Sequence, residues 1–82
     1  MLEIKVLGSG CANCKRTKAI IADAIAEYHL DAKVVEVTDM AEIMAYGVMS
    51  TPAIVINEQV MLAGRIPAKG TVAELVRRAT AN

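Results

Sequence analysis

Hydrophobic and polar positions alternate at the start of the chain, where Leu2, Ile4 and Val6 are separated by Glu3 and Lys5. A period of two places the three apolar side chains on one face of an extended strand. Gly8-Ser9-Gly10 ends it. From Ala12 to about His29 the period lengthens. Thr17, Ile20, Ile21, Ala24, Ile25 and Tyr28 fall on one stripe of a helix, with Lys15, Arg16, Lys18, Asp23 and Glu27 mostly outside it. Lys33-Val34-Val35-Glu36-Val37 predicts a short β-branched strand. Thr38-Asp39 then offers a cap for a second, short helix. Asp39 and Glu42 have capping-box spacing, and the helix runs through Ile43 and Met44 to a left-handed stop at Gly47.

Ser50-Thr51-Pro52 interrupts, and Ala53-Ile54-Val55-Ile56 follows as a buried strand. Asn57-Glu58 makes a turn, and Gln59-Val60-Met61-Leu62-Ala63 returns as the hairpin partner. Gly64, Pro67 and Gly70 mark a loop. Thr71 and Glu74, again at capping-box spacing, open a last helix that turns Val72, Leu75, Val76 and Ala79 inward. The order is βαβαββα. Two strands joined through a helix run parallel, while a hairpin pairs antiparallel. The expected fold class is therefore α/β, a mixed four-stranded sheet of order 2-1-3-4 with helices on both faces.

Composition narrows the picture. The 82 residues are expected to form one domain, 1–82, whose core lacks Trp and Phe and must be built from Ile, Val, Leu, Met and Ala. Nine basic residues balance nine acidic ones, so the charge footprint of a nucleic-acid or membrane-surface partner is missing. The opening MLEIKVLG carries Glu3 and too short an apolar run for a secretory signal, which points to the cytoplasm. In a reducing compartment a close cysteine pair is more often catalytic or metal-binding than a permanent crosslink.

The two cysteines, Cys11 and Cys14, stand in GSGCANCK, directly after the first strand and at the opening of the first helix. Open α/β sheets present their sites at this carboxyl end of the strands. At the N-cap, Cys11 directs its sulfur toward the free amides of Asn13 and Cys14, and the helix dipole adds positive potential. Such surroundings lower a cysteine pKa from about 8.5 into the range of roughly 3.5 to 7.5. Cys14, one turn further in, is better shielded and placed to close a disulfide back onto Cys11. Cys11 is thus the candidate nucleophile and Cys14 the resolving thiol, with Ala12, Asn13 and Lys15 tuning the pair.

These residues resemble the thioredoxin superfamily, and more closely the small thioredoxin-like proteins of archaea and bacteria called redox-active disulfide proteins. The resemblance spans nearly the whole chain. It rests on Gly8-Ser9-Gly10-Cys11-Ala12-Asn13-Cys14-Lys15 after the first strand, Thr51-Pro52-Ala53 before the third, and Gly64-Arg65 after the fourth. It implies a cis peptide bond at Thr51-Pro52 lying against the disulfide. The Thr51 backbone would be free to pair with an extended substrate segment, and Arg65 would border that groove. It also implies thiol-disulfide exchange with protein disulfides and recharging by a dithiol or flavoenzyme reductase. No bound cofactor is needed, and the chain is expected to act as a monomer. The chain departs from the common thioredoxin pattern in carrying Gly10 before the first cysteine instead of Trp, and Ala12-Asn13 between the cysteines instead of Gly-Pro. Six residues before Cys11, Lys5 takes the place of the usual buried Asp. Lys5 either holds thiolate at the site or pairs with Glu3 as a solvated strand residue. Lys15, Arg16 and Lys18 support a thiolate or form a plain exposed helix face. Tyr46 rims the site or packs in the core, and His29 is a partner for the helix dipole.

Two rival readings stay open. The first is a soft-metal carrier of copper or zinc using the CxxC thiolates, with Met40, Met44, Met49 and Met61 as extra thioethers where core packing is the ordinary alternative. Against it, copper chaperones carry Met two residues before the first cysteine and a βαββαβ order, while this chain has Ser9 there. Two thiolates also leave zinc half-coordinated. The second is a redox-inactive adaptor that keeps the fold and binds extended peptide.

Overall fold

A computed structural model describes residues 2–8 and 12–80. The elements are β1 (Leu2–Leu7), α1 (Ala12–Glu27), β2 (Ala32–Val37), α2 (Met40–Ala45), β3 (Ala53–Ile56), β4 (Gln59–Ala63) and α3 (Lys69–Thr80). The sheet order is β2-β1-β3-β4, as the βαβαββα pattern predicts. β1 runs parallel to β2, from Leu2 opposite Ala32 to Leu7 opposite Val37, and antiparallel to β3.

The strand alternation sorts side chains between two apolar layers. Ile4 and Val6 of β1 and Ile54 and Ile56 of β3 face Ile21 and Ala24 of α1 and Val72, Leu75 and Val76 of α3. Leu7, Ala53 and Val55 face the other way, with Val37 of β2, onto Ile43 of α2. The continuous apolar run of β3 follows from its place inside the sheet, where all four of its residues are buried. Burying one such aliphatic side chain stabilises the fold by roughly 1.5–3 kcal/mol. Together these contacts hold α1 and α2 on opposite faces.

α1 buries Cys14, Thr17, Ile21 and Ala24, a spacing of three and four that keeps them on one stripe. Thr17 is fully buried, yet its hydroxyl donates to the Asn13 carbonyl at 2.8 Å, so no polar group is stranded. Tyr28, expected on the same stripe, is exposed. The helix has ended before it: Leu30 N–H donates back to the Ile25 carbonyl, and His29 between them adopts a positive φ of 54°. This is a Schellman cap with His in the position usually given to Gly. His29 therefore terminates α1 through its backbone, in addition to any dipole role.

Asp39 caps α2 by accepting from the Ala41 N–H at 2.9 Å, and Gly47, at φ 77°, follows the helix as its spacing predicts. The Asn57-Glu58 turn has both residues at positive φ, the signature of a two-residue type I′ hairpin. One irregularity follows: Ile54 pairs with Leu62 and Val55 with Val60, leaving Met61 as an inserted residue.

The start of α3 corrects the sequence expectation. The helix opens at Lys69, not at a cap on Thr71, because the Ala68 carbonyl already accepts from Val72 N–H at 3.1 Å. Buried Pro67 directs the chain into this turn, and Lys69 pairs with Asp23 and Glu27 of α1.

Candidate functional site

The site builds from the carboxyl end of β1. Gly8 N–H donates to the Val37 carbonyl at 3.0 Å, which extends the β1–β2 ladder one residue beyond the strand. Gly8 is buried, and Cys14 and Thr51 both approach the space a side chain there would occupy. A Cβ at Gly8 would collide with the Cys14 sulfur, sit 3.1 Å from the Cys14 Cβ and lie 3.8 Å from the Thr51 Cβ. The missing side chain is therefore what lets Cys14 of the first helix pack against the end of β1, with Thr51 close by. In the residue pattern Gly8 marks only the end of a strand. A glycine leaves no side-chain pattern to read, so this role emerges only once Cys14 and Thr51 are placed around it.

Cys14 is 4% exposed and disulfide-bonded, and no described cysteine is free. The nucleophile expected at Cys11, with Ser9 and Gly10 before it, lies outside the described residues. Ala12 and Asn13 are exposed at the opening of α1, and Lys15 is exposed in its first turn. Lys18 instead bridges to Glu36 of β2 at 3.1 Å.

The Thr51-Pro52 peptide bond is cis. Thr51 is exposed and Pro52 buried. The Pro52 carbonyl accepts from Gly64 N–H at 2.9 Å, so the end of β4 fastens the proline loop. Gly64 has φ 80°, and a Cβ there would meet Ser50 at 3.1 Å, so both backbone conformation and space call for glycine. Arg65 follows directly and is exposed.

Lys5 is placed differently from the rest. Its ammonium donates to Glu58 Oε1 at 2.7 Å and to the Tyr46 hydroxyl at 2.8 Å, and it lies 5.5 Å from the Tyr46 ring centroid. The expected pairing with Glu3 gives way to this one, since Glu3 faces Lys33 at 3.6 Å. Tyr46 both packs against the α2 layer and closes this polar cluster. The hydrogen bond to Glu58, then that to Tyr46, raises the Lys5 pKa well above its ordinary 10.5, while the Lys5 hydrogen bond lowers Glu58 from its ordinary 4.5. The raised lysine stabilises the fold fully below 10.5 and loses that contribution as pH rises through its folded value. The lowered carboxylate contributes above 4.5 and loses its share as pH falls through its folded value. The lead of the native chain over Lys5→Met in thermal midpoint is therefore expected to hold across neutral pH and to shrink in acid. A lead unchanged from neutral pH into strong acid would show that the ion pair contributes nothing.

The methionines offer another correction. Met40, Met44 and Met49 are 58%, 69% and 97% exposed, not core, and Met61 alone of the four is partly buried. Among the described residues no three His, Cys, Asp or Glu side chains converge into a metal-binding group. A cleft lined by Leu2, Asp31, Asn57 and Thr80 lies at the amino end of β1, away from Gly8. No described helix is long and apolar enough to cross a membrane.

A four-stranded α/β sheet with a disulfide-bonded cysteine opening its first helix, facing a cis-proline loop across a glycine, defines a thioredoxin-like class of protein. The comparisons agree. A family model described as a thioredoxin domain matches residues 2–77, and the chain belongs to that family. It is 32% identical over 74 residues to a protein named thioredoxin from Methanocaldococcus jannaschii, covering 90% of this chain and 85% of the relative. A thioredoxin from Methanothermobacter thermautotrophicus is 25% identical over 76 residues, covering 93% and 99%. A solved structure titled as that of a malarial protein superposes with a TM-score of 0.73 at 11% identity, covering 98% of both chains, and shows the shared fold. The chain is thus a small thioredoxin-like redox protein of the oxidoreductase kind.

Proposed function

We propose that the chain is a thiol-disulfide oxidoreductase working through a mixed disulfide between Cys11 and protein substrates. The Cys11 thiolate attacks one sulfur of a substrate disulfide. A new S–S bond forms, the substrate bond breaks, and the departing substrate thiolate takes a proton from solvent. Cys14 then attacks the Cys11 sulfur, releases the second substrate thiol and closes the intramolecular disulfide. A dithiol or flavoenzyme reductase returns the pair to thiols, and no bound cofactor is required.

The observation that carries this reading is Gly8, against which Cys14 and Thr51 both pack. A cysteine able to hold a disulfide stands beside an exposed backbone turn fixed by Pro52 and Gly64. In this reading the Thr51 main chain pairs with an extended substrate segment, Arg65 borders it, and Ala12, Asn13 and Lys15 shape the approach to Cys11. Lys5 acts on the thiolate only at a distance, since Glu58 and Tyr46 hold its ammonium. A reducing cytoplasm is the setting such a cycle needs. The metal-carrier alternative separates cleanly: protein stripped of metal by a chelator is expected to keep reducing insulin disulfides with a dithiol donor. Loss of turnover on chelation and its return with copper or zinc would favour the carrier.

A further inference from the structure

We propose that Met49 is a sulfoxidation site for peroxide, and that its oxidation weakens exchange with protein disulfides. The second half rests on the oxidoreductase reading above. Methionine is ordinarily a core filler, yet here three thioethers face solvent on α2 and the loop after it, and Met49 is the most exposed at 97%. Met49 stands two positions before Thr51, within about 7 Å of it along the chain. It therefore flanks the backbone that receives an extended substrate. A flexible, polarizable thioether there suits varied apolar side chains. In the reaction the peroxide O–O bond breaks, one oxygen joins the thioether sulfur, which loses two electrons, and the other leaves as water. The product is a polar sulfoxide, which disfavours apolar contact and is reversed by methionine sulfoxide reductases.

The test treats the disulfide form with hydrogen peroxide, so that the cysteine sulfurs are already oxidised and shielded from further attack, then removes the peroxide with catalase. Peptide mapping by mass is expected to show oxygen added at Met49 first, at Met44 and Met40 next, and at Met61 last. Met61 reacting as fast as Met49 would overturn the site assignment. After reduction, exchange with insulin is expected to fall about fivefold, the size of effect that follows when roughly one methylene's worth of apolar contact with the substrate is lost. Exchange with a small aromatic disulfide should stay unchanged. Met49→Leu, compared with its own untreated sample, is expected to lose nothing. An equal loss in Met49→Leu, or with the small disulfide, would overturn the regulatory half. Untreated protein that fails to reduce insulin would instead refute the oxidoreductase reading and leave the peptide map standing.

Discussion

Replacing Cys14 with Ser is expected to arrest exchange at the mixed disulfide and capture substrate covalently on Cys11. Without the resolving sulfur the second displacement has no intramolecular nucleophile, and release depends on thiols from solution. Turnover against a protein disulfide should fall about a thousandfold, because residues that act as a unit lose most of the rate when one is removed. The captured species should migrate as an adduct that a dithiol dissolves. Cys11→Ser should lose turnover equally and capture nothing. This asymmetry distinguishes the oxidoreductase from an adaptor, which would trap no partner with either substitution. Burial of Cys14 at 4% exposure supports the division of labour, since a shielded sulfur is a poor first attacker.

The second large effect belongs to Gly8→Ala. The added methyl lands on the Cys14 sulfur and crowds its Cβ, and that sulfur is tied in a disulfide instead of being the free end of a flexible side chain. Overpacking of this kind costs about 1–3 kcal/mol, and in a domain of this size each kcal/mol lowers the thermal midpoint by about 4–8 °C. Exchange should fall along with stability, because relief requires Cys14 to shift away from Gly8, whereas Thr51 would meet the new methyl at an ordinary contact distance. Gly70→Ala is the control of opposite sign. Gly70 lies in α3 with nothing within 4 Å of an added Cβ, so alanine there should stabilise by about 0.5 kcal/mol. A Gly8→Ala protein as stable and active as the native chain would remove the contact that joins the two halves of the site.

Much of the architecture is legible in the residue pattern. Leu2, Ile4 and Val6 announce β1 by alternation, and Ala53 to Ile56 announce a central strand by lacking it. The βαβ crossover and the hairpin then leave little choice of strand order. What escapes is set by contacts distant in sequence or by backbone alone. Lys5 and Glu58 are 53 positions apart, so nothing local favours their pairing over Lys5 with Glu3. Tyr28 fits the helical stripe, but the Schellman cap at His29 ends α1 first. Thr71 has the spacing of a cap, yet the turn after Pro67 starts the helix earlier. The methionines carry core-like hydrophobicity, yet α2 buries only Ile43 and leaves Met40 and Met44 facing out.

The site divides the same way. Cys14 at the helix opening follows from spacing alone. The cis Thr51-Pro52 bond follows from the family resemblance, since an X-Pro bond in isolation favours trans. Gly8 and Gly64 stand in the motifs, but their packing roles follow from neither, because each acts through space it leaves empty, one for Cys14 and the other for Ser50.

The most direct test equilibrates the protein with glutathione buffers of graded ratio and counts free thiols by mass after alkylation. A single two-electron transition is expected, in which Cys11 and Cys14 lose and regain their thiols together. Two thiols that alkylate independently at every ratio, or form adducts with glutathione but never with each other, would contradict it.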